Sequence, residues 1–223
     1  MKEFVKKYRV FIAIVVLIVG IMVVMRLWKI GATLNHVQYS ATIAEPPLHS
    51  ELDIVFGCDK ATLPVFMYAD YSCRYCKRFF EDVLPSMQQY LNNKSVCLIV
   101  KLVGKSTHPS IQRAQRAAVC VHRHGNYKAL HELYVFNYLS IYTQEFAEML
   151  DDFIAHDDFV AQCMLEGESE EYLNANNLEF DSKGFNGTPT FVIGTHVYKG
   201  FKDEHEFEQI IEHELELLNK SKR

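Results

Sequence analysis

From Val10 to Met25 the chain runs sixteen residues without a charged or strongly polar side chain, and Leu27 and Trp28 carry the run past Arg26 to nineteen. A run with no polar face cannot form one side of a soluble core. Its length falls within the roughly 17–25 residues a helix needs to cross the hydrocarbon of a bilayer. Arg26 can snorkel its guanidinium to the interface, where Trp28 is an anchoring type. The rival reading is a cleaved signal peptide, whose apolar core spans roughly 7–15 residues and is closely followed by a small-x-small site. Here Arg-Leu-Trp-Lys-Ile follows Met25, so the sequence predicts an uncleaved anchor over residues 1–30. Lys2, Lys6, Lys7 and Arg9 precede the run, and Arg26 and Lys29 follow it. The positive-inside bias then predicts a cytoplasmic N-terminus and an extracytoplasmic remainder, a setting in which disulfides persist.

Charge divides the chain at the same place. Residues 1–30 hold six Lys/Arg and one Glu, whereas residues 31–223 hold seventeen Lys/Arg and twenty-seven Asp/Glu. So acidic a remainder argues against a nucleic-acid-binding protein. A hydrophobic fraction of 49% argues against wholesale disorder. Gly31 to Ser50 is polar, ends near Pro46-Pro47 and is expected to be a tether. Residues 51–223 are expected to form one domain with a substantial core.

Within that domain, Asp53–Phe56 is expected to form a short strand, and Leu63-Pro-Val-Phe-Met-Tyr68 reads as a buried one. Phe79, Phe80, Val83, Leu84, Met87 and Leu91 fall at helical spacing, so residues 73–91 are expected to form a helix kinked at Pro85. Val96 to Val103 is nearly continuously apolar, as in a strand covered on both faces. Several helices are expected between about 105 and 184. Thr190–Ile193 and His196–Tyr198 flank a Gly194-Thr195 turn as a hairpin, and residues 203–219 read as an amphipathic helix. This order predicts an α/β fold: a small mixed sheet flanked by helices, with an inserted helical subdomain.

Asp70-Tyr-Ser-Cys73-Arg-Tyr-Cys76 follows the buried-type strand and opens a helix. Unpaired N–H groups and the positive end of the helix dipole favour a thiolate on the first cysteine. The two-residue spacer lets the second cysteine reach the first and resolve a mixed disulfide. A zinc half-site would need two further ligands, and there is no second Cys-x-x-Cys. No metal is therefore expected, and exchange through a dithiol pair needs no organic cofactor.

The segments Ala69-Asp-Tyr-Ser-Cys-Arg-Tyr-Cys-Lys-Arg-Phe-Phe80, Val83-Leu-Pro85, Ser110–Ala118 and Gly187-Thr-Pro-Thr-Phe-Val-Ile-Gly194 together resemble the DsbA-type thiol–disulfide oxidoreductases of the thioredoxin-fold superfamily. The resemblance runs from about Asp53 to Leu218. It implies a thioredoxin-like sheet, catalytic Cys73 and Cys76, and a cis-proline at Pro189 opposite them. Thr188 would then offer its backbone to an incoming peptide. It also implies cysteine-containing exported polypeptides as substrates and a DsbB-type membrane quinone reductase as the reoxidising partner, at a bacterial inner membrane with the domain in the periplasm. Two positions depart from the family. Tyr75 stands where many members carry His, leaving Arg74 and Tyr75 as the side chains available to tune the Cys73 thiolate. Met67 stands six residues before Cys73, where many carry a buried carboxylate, and Asp70 is the nearest acid.

Cys58, Cys97, Cys120 and Cys163 allow three complete pairings. Cys120 and Cys163 both fall in the helical insert and are expected to form a structural disulfide. Cys97 reads as a small apolar strand residue, and Cys58 as a loop residue, free or paired. The expected activity is oxidation of thiols in exported proteins. The rival readings are an isomerase or reductase using the same pair, or a non-enzymatic copper carrier holding Cu(I) on two soft thiolates.

Overall fold

Leu63–Ala69 (β3) is a strand because its apolar and β-branched residues are bounded by turn residues, and every residue in it but Pro64 is buried. A computed structural model describes Tyr8 and residues 14–26, 37–58, 61–104, 106–124, 127–136 and 138–221. Residues 14–26 are helical (α1). The rest of the expected span, and tether residues 31–36, lie outside the described residues. No helix among the described residues is long and apolar enough to cross a membrane.

The second compact unit spans Tyr39–Arg223. Its six strands are Ala41–Thr42 (β1), Ile54–Phe56 (β2), β3, Val96–Leu102 (β4), Thr190–Ile193 (β5) and His196–Lys199 (β6), ordered β1-β6-β5-β3-β4-β2. Among the described residues only the β3–β4 pair is parallel, with Met67 opposite Val100, and the other four pairings are antiparallel. The mixed α/β sheet and its closing hairpin follow the sequence pattern. The expected tether does not stay apart. Ala41 and Thr42 pair with Val197 and His196 at the sheet edge, so the folded unit begins at Tyr39 rather than at residue 51.

The sheet is covered on both faces. Phe66, Tyr68, Ile99, Val192 and Val197 point to one face, where Phe180 and Phe185 close over them. Phe180 belongs to Glu168–Ser182 (α8). On the other face Phe79, Phe191 and Phe207 form a triangle of rings with centroids 4.9–5.1 Å apart. Phe207 is contributed by the C-terminal helix Glu204–Ser221 (α9), whose Ile210 and Ile211 are buried on the same stripe.

Residues 73–91 are broken rather than kinked. Arg74–Arg78 (α2) runs into a π turn over Phe79–Val83, closed by Leu84 N–H donating to the Phe79 carbonyl at 2.9 Å. Helix resumes only at Gln88–Asn92 (α3). Pro85 has no N–H with which to continue the ladder, and the π turn consumes one extra residue ahead of it. Gly57 has φ +70°, and a Cβ there would lie 2.8 Å from the Leu91 Cβ, so both its conformation and the close approach of α3 require glycine.

Between β4 and β5 lie Pro109–His124 (α4), Tyr127–Phe136 (α5), Gln144–Ala155 (α6), Asp158–Glu166 (α7) and α8. Thr143 and Asp157 cap α6 and α7 through side-chain oxygens that accept from Phe146 N–H, and from Phe159 and Val160 N–H. Cys120 of α4 and Cys163 of α7 are disulfide-bonded with Cα atoms 5.7 Å apart. Cys58 and Cys97 form a second disulfide, with Cα atoms 4.5 Å apart. Cys97 is therefore a bonded half-cystine, not a lone apolar residue. The β2–β4 register explains the pairing: Phe56 lies opposite Leu98, which brings the coil just beyond β2 alongside Cys97.

Candidate active site

β3 ends at Ala69, and the chain turns through Asp70–Ser72 into α2, with Cys73 at the N-cap in extended conformation. Asp70 shapes the turn. Its carboxylate accepts from the Ser72 N–H and hydroxyl, both at 2.7 Å, and its carbonyl accepts from Cys73 N–H at 3.0 Å. Asp70 is buried, and burial raises its pKa; hydrogen bonds from Ser72 and Gln115 oppose that shift. Gln115 is itself wholly buried and donates to the Val103 carbonyl at 3.2 Å. Sequence reasoning marked Asp70 only as the nearest acid to Cys73 and missed Gln115, which reaches it from α4.

Cys73 is part-exposed and Cys76 is buried, one turn further along α2; both are free thiols. The Cys73 thiol donates to the Thr188 carbonyl at 3.2 Å. The Thr188–Pro189 peptide bond is cis. Its loop is fixed at both ends: Thr190 Oγ1 donates to the Gly187 carbonyl at 2.6 Å, and Gly200 N–H donates to the Pro189 carbonyl at 2.9 Å. Cys73, Cys76, Thr188 and Pro189 are thus brought together from two ends of the domain.

The two thiols are pushed in opposite directions. Cys73 is lowered to about 6, chiefly by a hydrogen bond from Cys76. Burial opposes this, while the Thr188 side chain and the backbone N–H groups of Cys76 and Tyr75 add to it. Cys76 is raised well above an ordinary thiol, by burial first and then by its partnership with Cys73. Pairs of groups pushed apart in this way divide roles between them. The side chains of Arg74 and Tyr75 act elsewhere. The Arg74 guanidinium lies 4.9 Å from the Tyr75 ring centroid, and the Tyr75 ring stacks on Phe201. Tyr75 acts on Cys73 through its backbone N–H, as a smaller contribution than the Cys76 thiol and Thr188 hydrogen bonds. Phe201 had no signal beyond being an aromatic just after the closing hairpin.

Among the described residues no group of three or more His, Cys, Asp or Glu side chains could hold a metal ion. His131 sits part-buried against Phe80, Phe56 and Tyr71. Burial lowers it to about 4, so it is neutral beneath the cysteine turn.

The thioredoxin family profile matches residues 49–213. The chain belongs to the thioredoxin family. Its domain superposes on α-DsbA1 from Wolbachia pipientis with a TM-score of 0.65 at 16% identity, covering 79% of this chain and 97% of that one. Oxidised BdbD from Bacillus subtilis gives 0.62 at 19%, covering 79% and 98%. The catalytic domain of Proteus mirabilis ScsC gives 0.55 at 24%, covering 75% and 92%. These likenesses show that the chain shares its fold with those proteins. No curated protein matches the sequence significantly.

Proposed function

We propose that this thioredoxin-family protein is an extracytoplasmic thiol:disulfide oxidoreductase that oxidises cysteine pairs of exported polypeptides. The observation that carries the reading is the opposed poise of Cys73, lowered to about 6, and the buried Cys76, raised above an ordinary thiol. In the oxidised protein the two sulfurs share a bond. A substrate thiolate attacks Cys73 Sγ, the Cys73–Cys76 bond breaks, and Cys76 leaves and takes up a proton. The second substrate thiolate then attacks the substrate sulfur of the mixed disulfide and expels the Cys73 thiolate. Two electrons pass from the substrate dithiol to the enzyme, and the substrate leaves as a disulfide. A low pKa makes Cys73 a good leaving group and favours this direction over reduction.

The substrate chain would lie along Thr188 by strand-like hydrogen bonds, with the fixed Gly187–Thr190 loop presenting its backbone. Residues 1–30 would anchor the protein in a bacterial inner membrane with the N-terminus cytoplasmic. Two disulfides outside the Cys73–Cys76 pair suit an oxidising compartment. A membrane quinone reductase of DsbB type would reoxidise the pair. Equilibration with glutathione tests the direction: a potential well above that of thioredoxin, about −270 mV, is expected, and one as reducing as thioredoxin's overturns the oxidase reading. Cys73→Ala should abolish oxidative refolding of a reduced test protein.

A further inference from the structure

Beside Cys73 runs a row of alternating cations and rings. The Arg74 guanidinium lies over the Tyr75 ring, Tyr75 stacks on Phe201 with centroids 6.4 Å apart, and the Arg78 guanidinium sits 4.2 Å from the Phe201 centroid. The Tyr75 side is open, with 43% of the residue exposed. Phe201 directly follows Gly200, whose N–H is bonded to the Pro189 carbonyl, so the row is tied to the loop that contacts Cys73. Arg74 and Tyr75 directly follow Cys73 in the chain, and the Tyr75 N–H acts on its sulfur.

The charge of this row runs against its surroundings. Residues 31–223 carry ten more acids than bases, yet α2 holds Arg74, Lys77 and Arg78 and no acid. Lys77 pairs with Glu81, and Arg78 with Asp82 at 3.4 Å. Arg74 has no carboxylate at ion-pair distance among the described residues, although it is exposed and directly follows Cys73 in the chain. A guanidinium held over a ring by its cation–π contact spends none of its N–H groups there and keeps them available for a carboxylate. A bare solvated arginine is not held in this way.

We infer that the Arg74–Tyr75–Phe201–Arg78 ledge reads the residues flanking a substrate cysteine and selects extended segments with an acidic residue beside it. The carboxylate pairs with Arg74, and the neighbouring chain lies over the Tyr75 and Phe201 rings. The inference rests on the oxidoreductase reading, because it needs Cys73 to be the sulfur attacked.

The test uses the oxidised full-length protein and two reduced dithiol peptides of equal length, one with Glu and one with Lys beside the attacking cysteine. Each rate is referred to that peptide's own rate on hydroxyethyl disulfide, because a neighbouring charge also shifts the peptide thiol. The acidic peptide should react about fivefold faster at low salt, the size of a good exposed ion pair, and the preference should shrink as salt is raised. Arg74→Glu with Arg78→Glu should invert it. A ratio near one, or one that charge reversal leaves unmoved, overturns the ledge. Dithiothreitol separates the two readings: if it reduces the protein while the peptides show no preference, the ledge alone fails. If neither it nor the peptides reduce a Cys73–Cys76 bond, the oxidoreductase reading fails.

Discussion

The Cys73 thiol and the Thr188 carbonyl meet at 3.2 Å across 115 positions of sequence. The contact places the more reactive sulfur against the backbone of the loop, with Cys76 behind it, buried in α2. The sulfur that faces the loop is the one lowered, and the sulfur that faces the core is the one raised.

Alkylation of Cys73 in the reduced protein should therefore titrate with a midpoint near 6, while Cys76 stays unreactive through neutral pH. The largest cause is the Cys76 hydrogen bond, so Cys76→Ala should move the midpoint up and Cys76→Ser, which keeps a donor, should move it less. The sign for stability follows. A depressed folded pKa stabilises the reduced form fully above the ordinary thiol pKa of about 8.5 and ceases to do so as pH falls through about 6. The reduced protein should lose melting temperature relative to the oxidised one over that interval. An alkylation midpoint near 8.5 would show that Cys73 is not poised.

The core strands, the Cys-x-x-Cys helix entry and the Gly-Thr-Pro-Thr loop were legible because each is written in contiguous residues. The Cys58–Cys97 disulfide was not. It depends on the register Phe56 opposite Leu98, which no local pattern encodes. Ala41–Thr42 was read as tether because two residues carry no periodicity; its place comes from Val197 and His196 at the open edge. The tuning of Cys73 looked like a matter of the Arg74 and Tyr75 side chains. In three dimensions Phe201 takes the Tyr75 ring, and Cys73 is lowered chiefly by the Cys76 thiol, with Thr188 and the α2 N–H groups adding to it.

Lys101 is buried in β4 and is held by Asp53 at 3.4 Å, Glu179 at 3.5 Å and the Leu48 carbonyl at 3.0 Å. Asp53 is equally buried and accepts from the Tyr172 hydroxyl at 2.7 Å and Ser50 N–H at 2.7 Å. Removing one member of a buried pair strands the other charge, typically at a cost of about 3–5 kcal/mol. Lys101→Met should lower urea stability by that order, and adding Asp53→Asn should restore part of it. A double variant that loses as much as the sum of the two single variants would show that the two charges are not coupled.

Cys120–Cys163 closes a separation of 43 residues and ties α4 to α7. A cross-link of this kind usually contributes about 2–4 kcal/mol, largely through the unfolded chain. Cys120→Ala with Cys163→Ala should lower stability by that order and leave Cys73 alkylation near its original midpoint. Peptide mapping of the unreduced, alkylated protein should recover the 120–163 and 58–97 pairs; a free thiol at any of these four positions contradicts the pairing.

His131 gives the last expectation, and its sign is opposite to that of an ion-paired histidine. Its ring packs edge-on to Phe80 at 4.5 Å and near Phe56 and Tyr71, and burial lowers it to about 4. The unfolded chain binds a proton near 6.5 that the folded chain refuses until about 4. The unfolded state therefore holds the extra proton across that window, and stability falls as the pH is lowered through it. The loss attributable to this one group is about 3 kcal/mol between pH 7 and 4. Other groups titrate in the same range, so the comparison has to be with His131→Phe, which keeps an aromatic ring in the cage and cannot take the proton. The variant should lose less stability than the parent on going from pH 7 to pH 4. Parallel stability curves for the two proteins would mean that His131 is protonated without cost, and that the aromatic surroundings do not exclude its charge.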